Sequence, residues 1–130
     1  MTTTAHTPET ETGWPVAGLL LEALTRRDFT ALSACLTPDV RFRGLIPPGP
    51  FDTAGAAAAE TRFRNWFGGT DAFEVLDATA GRLGDKLYLR WRVRMIDDAG
   101  QARIAEQHVF ATAGDHIGAL DLLCSGWNPE

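Results

Sequence analysis

Apolar residues recur at helical spacing only in the first half of the chain. Val16, Leu19, Leu20, Ala23 and Leu24 form one stripe just after Pro15, a residue suited to a first helical turn, and predict a first helix. Arg26-Arg27-Asp28 interrupts the stripe. Asp28 is placed to cap a second, short helix whose Phe29, Leu32 and Leu36 share a face before Thr37-Pro38-Asp39 stops it. Val40-Arg41-Phe42-Arg43 then alternates as a strand, and Ile46-Pro47-Pro48-Gly49-Pro50 predicts an extended rim loop without ladder hydrogen bonds. A third helix is expected from Ala54 to about Phe67, capped by Asp52 or Thr53, closed by Gly68-Gly69 and aromatic at Phe63, Trp66 and Phe67.

Beyond that point the period changes from helical to alternating. Residues 73–80, 86–96, 102–112 and 117–125 read as successive strands, separated by turn signals at 81–85, 97–100 and 113–116. Leu87, Leu89, Trp91, Val93 and Met95 take one side of the second of these strands, and Arg90, Arg92 and Arg94 take the other, where Glu74 or Asp77 can neutralise them. Helices followed by a meander imply an α+β domain in which a curved, mostly antiparallel sheet folds over the helices.

Composition narrows the partners. A chain of 130 residues that is 45% hydrophobic can build one core, so a single domain over residues 13–130 is expected, after a polar, disordered tail over residues 1–12. The net charge is −5 and Lys86 is the only lysine, so no basic track for nucleic acid exists. No apolar run approaches the roughly 20 residues of a membrane span, and the N-terminus lacks the pattern of a secretion signal; no membrane association and a cytoplasmic location are expected. Cys35 and Cys124 have no metal-ligand rhythm, which predicts neither disulfide nor zinc. No phosphate loop, nucleophile elbow or histidine cluster appears, so no metal and no cofactor are expected.

The candidate chemistry is Glu106-Gln107-His108. A carboxylate and an imidazole two positions apart emerge on the same face of a strand, with Ile104 and Phe110; Ala105, Gln107, Val109 and Ala111 take the other face. Periodicity does not choose which face is inward. On the last long strand Leu120, Leu122 and Cys124 alternate with Asp121, Leu123 and Ser125, so Asp121 is the rival carboxylate if the register is opposite.

Two stretches carry a family resemblance. EALTRRDFTALSACLTPDVRFRGL over residues 22–45 and EQHVFATAGDHI over residues 106–117, followed by ALDLLCSGW, resemble the opening helices and closing hairpin of the nuclear transport factor 2-like superfamily, in its SnoaL-like and ketosteroid isomerase-like group. The likeness spans about Gly13 to Trp127. It implies a cone-shaped barrel with one apolar pocket, three N-terminal helices in the concavity of the sheet, and a homodimer formed through the sheet. It also implies that Glu106, His108 and Phe110 line the pocket, with Trp91, Leu120, Leu122, Cys124, Leu20, Phe42 and Trp66 around a small hydrophobic ligand. Matching the isomerase residue by residue puts its general base at Gly44 and its oxyanion-hole tyrosine at about Leu20, so both functional groups are missing. The aspartate that limonene epoxide hydrolase carries near Leu122 is missing as well. The resemblance therefore implies a cofactor-free isomerase, cyclase or lyase other than ketosteroid isomerase, with His108 as base or shuttle and a protonated Glu106 as donor to an enolate oxygen. The alternative is a noncatalytic binder of a hydrophobic ligand, or an assembly domain.

Overall fold

A computed structural model describes residues 13–130; the tail expected over residues 1–12 lies outside the described residues. Helix α1 (Pro15–Thr25) buries Val16, Ala17, Leu20, Leu21, Ala23 and Leu24. Leu19 lies at the edge of that stripe and is 61% exposed, so it does not belong to the buried face. Asp28 caps α2 (Phe29–Ala34) by accepting the Ala31 N–H at 3.0 Å.

The rim is more regular than its prolines suggest. Strand β1 (Leu36–Ile46) pairs antiparallel with β2 (Gly49–Ala54), and Ile46 faces Gly49 across a turn made of Pro47 and Pro48. Prolines at a turn and on an edge strand cost no ladder bond, which is why this segment forms a hairpin rather than a loop. Helix α3 (Ala56–Phe67) consequently begins two residues later than expected, after Gly55 at φ 102°, without a side-chain cap. Asp52 instead pairs with Arg41 at 2.7 Å across the hairpin.

Strands β3 (Phe73–Leu83), β4 (Lys86–Ile96), β5 (Ala102–Ala113) and β6 (Ile117–Cys124) form the meander, and the short β7 (Asn128–Pro129) pairs with β5. The order β2-β1-β6-β5-β4-β3 brings β1 parallel to β6, with every other pair antiparallel. The result is a curved, unclosed sheet over three helices, the α+β architecture expected. Its inner face supplies Leu87, Leu89, Trp91 and Val93 from β4, Val109 and Ala111 from β5, and Leu120 and Leu122 from β6, all buried. Phe42 of β1 stacks on Phe63 of α3 with centroids 5.4 Å apart, and Trp91 meets the same ring at 6.2 Å. Each fully buried large side chain contributes about 1.5–3 kcal/mol, against about 1 kcal/mol for a helix cap, so this face holds the helices in place.

Candidate functional site

The direction of β5 decides what the site can be. Gln107 sits opposite Trp91, Val109 opposite Leu89 and Ala111 opposite Leu87, and all six side chains are buried. The intervening residues Ile104, Glu106, His108 and Phe110 therefore leave on the outer face, a reversal of the parity that the family resemblance implied. The physical reason is the partner strand: β4 has its apolar set inside, and a one-residue slip of β5 would bring Glu106 and His108 against that core.

On the outer face the expected pair does form. His108 Nε2 lies 2.7 Å from Glu106 Oε2, and the Tyr88 hydroxyl lies 2.7 Å from His108 Nδ1. Arg90 reaches Glu106 at 3.5 Å and Asp77 at 2.8 Å, extending the chain of polar groups across three strands. The hydrogen bond from His108, with help from Arg90, holds the Glu106 carboxyl below its ordinary pKa against the opposing effect of desolvation. That direction is opposite to the raised pKa that the expected role of neutral donor needs. The pair borders a shallow hollow of about 420 Å³ shared with Leu45, Ile46, Pro47, Leu123, Cys124 and Ser125. Phe110 is on this face too, 5.3 Å from the Tyr88 ring, and Asp121 points outward into a two-bond pair with Arg43 at 2.7 and 2.8 Å. Arg94 lies 3.6 Å from Glu74, so Arg90 and Arg94 of the arginine row have the acidic partners expected on β3.

Inside the cone most of the expected pocket is filled. Leu20, Phe42, Trp91, Leu120 and Leu122 are at most 2% exposed and belong to the core. At Gly44, where the resemblance would put the isomerase's base, a Cβ would lie 2.3 Å from the Phe51 ring, which occupies that space. Phe51 is gripped by Phe42 at 5.0 Å and by the Arg62 guanidinium 3.8 Å from its centroid, so a carboxylate at position 44 has no room.

What stays open is a cavity of about 270 Å³ at the mouth of the cone. Ile46, Pro47 and Pro48 of the hairpin form one side, Trp66 and Phe67 at the end of α3 a second, and Gly126 and Trp127 a third; Ala105, Gln107 and Cys124 make the floor. The chain crosses the mouth because Gly126 adopts φ 76° and approaches so closely that a Cβ would lie 2.5 Å from Pro47 Cγ. Trp127 then meets Phe67 edge-on at 6.1 Å, and the Asn128 side chain donates back to the carbonyls of Ser125 and Gly126. Of the expected ligand contacts, Trp66 and Cys124 reach this cavity.

Gln107, on the floor of this cavity, is the candidate residue that sequence reasoning missed. It is the one buried polar side chain among the described residues, 1% exposed, and its Oε1 accepts the Trp91 Nε1–H at 2.7 Å. Its Nε2 donates to Cys124 Sγ at 3.4 Å, and the Gly126 N–H reaches the same sulfur at 3.3 Å. The available signal was Gln107 on the face of β5 otherwise occupied by Ala105, Val109 and Ala111. Cys35 and Cys124 are free thiols, and among the described residues no group of three His, Cys, Asp or Glu side chains is arranged to hold a metal. No helix among them is long and apolar enough to cross a membrane.

A curved sheet over three helices, with a cavity at its open end, defines the nuclear transport factor 2-like class. Within it the chain belongs to the SnoaL-like domain family, whose model matches residues 17–118. Solved structures agree on the fold. A proposed polyketide cyclase from Pseudomonas putida superposes with a TM-score of 0.63 at 17% identity, covering 85% of this chain and 90% of that one. An epoxide hydrolase from M. tuberculosis, like limonene epoxide hydrolase, gives 0.60 at 14% identity over 87% and 80%. A proposed ketosteroid isomerase from Kribbella flavida gives 0.59 at 15% identity over 88% and 76%. No curated protein matches the sequence.

Proposed function

We propose that the chain is a small-molecule pocket protein that holds a compact, apolar, carbonyl-containing ligand in the cavity beneath Trp127. The observation that carries this reading is the combination of aromatic walls with one buried amide, Gln107, at the floor. Small-molecule sites are built this way, mostly apolar with a few fixed polar groups. The lining contains no carboxylate or imidazole, which favours binding over the isomerisation, cyclisation or dehydration that the resemblance implies. The test is an NMR titration with 1-indanone. Cys124→Phe and Ile46→Trp, which fill the cavity from floor and rim, weaken binding at least tenfold, whereas Glu106→Gln and His108→Phe leave it unchanged. Binding that survives both fillings and disappears in His108→Phe overturns the assignment.

A second reading keeps the proton-transfer chemistry and moves it to the outer hollow. It is supported by the hydrogen-bonded order Tyr88, His108, Glu106, in which the imidazole bridges a phenol and a carboxylate. Asp121 does not enter it, being held by Arg43. In this reading the protein accelerates exchange of the α-protons of 1-indanone in D2O and His108→Phe abolishes the acceleration; exchange at the buffer rate in the wild type removes it.

The same face supports the homodimer. Leu45 and Leu123, paired across β1 and β6, are 54% and 50% exposed, apolar surface of the kind that partners cover. Light scattering at micromolar concentration gives a dimer that Leu123→Glu dissociates; a monomeric wild type excludes it. The two free thiols fit a reducing cytoplasm.

A further inference from the structure

Resting on the pocket reading above, we infer that Trp91 fixes the polarity of the cavity floor, so that the site selects ligands with a hydrogen-bond acceptor and rejects those that offer only a donor. An indole N–H can only donate, so the amide atom 2.7 Å from Trp91 Nε1 has to be the Gln107 oxygen. That bond removes the amide's acceptor from the cavity and turns Nε2 toward it. One Nε2 hydrogen points at Cys124 Sγ, 3.4 Å away, a weak acceptor already approached by the Gly126 N–H. The other has no acceptor among the described residues. The floor thus presents donors to an otherwise apolar space, and a ketone, quinone or lactone oxygen can displace the sulfur contact and take both the vacant hydrogen and the room above it. An N–H or O–H directed at the same point meets Nε2 hydrogens head-on. Because burial leaves the Trp91 N–H no other acceptor among the described residues, a flip of the amide would strand it beside a second donor, and the polarity is locked. Trp91 is a positioning residue: it sets the orientation of the group that touches the ligand.

Three bicyclic probes of nearly equal shape separate this inference from the reading on which it rests: 1-indanone, an acceptor only; indole, a donor only; and indane, neither. The wild type binds 1-indanone about tenfold more tightly than indane, the effect of one hydrogen bond, and binds indole no more tightly than indane. Gln107→Met keeps indane binding and loses the advantage of 1-indanone. Trp91→Phe frees the amide to rotate and brings 1-indanone and indole within about threefold of each other. The wild-type order does not depend on either variant folding. Equal binding of 1-indanone and indane, or indole in first place, overturns the inference and leaves the pocket standing. Failure of all three to bind overturns the pocket and the inference together.

Discussion

The two faces of β5 treat polarity in opposite ways. On the outer face the polar groups are linked in a chain: His108 touches Tyr88 and Glu106, Glu106 touches Arg90, and Arg90 also holds Asp77. On the inner face there is a single buried polar side chain among the described residues, Gln107, with one strong bond to Trp91. The outer network is partly solvated, so losing one member lets water replace it; the inner pair has no such substitute. Under the proposed function, the isolated amide rather than the dense cluster of charges marks the face where a ligand is held.

This contrast orders the expected effects of substitution. Trp91→Ala is the most damaging, because it removes a fully buried ring together with the donor to Gln107; a loss of about 3–5 kcal/mol is expected in urea denaturation. Gln107→Leu strands the indole N–H and costs about 1–3 kcal/mol, and most of that cost vanishes when Trp91→Phe is already present. Additive losses in that double-mutant cycle would mean that the pair is not coupled. Gly126→Ala forces a left-handed backbone and a collision with Pro47, and costs about 1–2 kcal/mol while opening the mouth over Trp127.

Glu106→Gln is the mildest, within about 1 kcal/mol at neutral pH. Its pH dependence carries more information. A carboxyl whose folded pKa is lowered stabilises the fold fully above its unfolded value, near about 4.3, and loses that contribution as the pH falls through the folded value. The denaturation midpoints of wild type and Glu106→Gln accordingly differ at pH 7 and converge toward pH 3. A wild type that is the less stable of the two at pH 7 and gains on Glu106→Gln as the pH falls would mean that the Glu106 pKa is raised, as a neutral donor requires.

Much of the fold was legible because it depends on patterns that tolerate small errors. The α1 stripe, the Asp28 cap and the alternation of β4 each survive a boundary error of a residue or two. The site depended on parity, which does not. In β5 both alternating sets contain apolar residues, Ile104 and Phe110 against Ala105, Val109 and Ala111, so the deciding information lies in the register with β4 rather than in β5 itself. The hairpin between β1 and β2 was hidden for another reason: Pro47, Pro48 and Pro50 suppress the strand signal although turn and edge positions accept them. Gln107 was passed over because it stands between two residues with more familiar chemistry, and its value appears only with Trp91 opposite.

The central claim is that ligand is held on the inner face by Gln107 and not on the outer face by Glu106 and His108. Side-chain NMR of the uniformly labelled protein during a 1-indanone titration tests it most directly. The account predicts saturable shifts of the Gln107 amide and of the Trp66 and Trp127 indoles, with the His108 ring unmoved. Shifts confined to His108 and Tyr88, with the Gln107 amide unchanged at saturation, would contradict it.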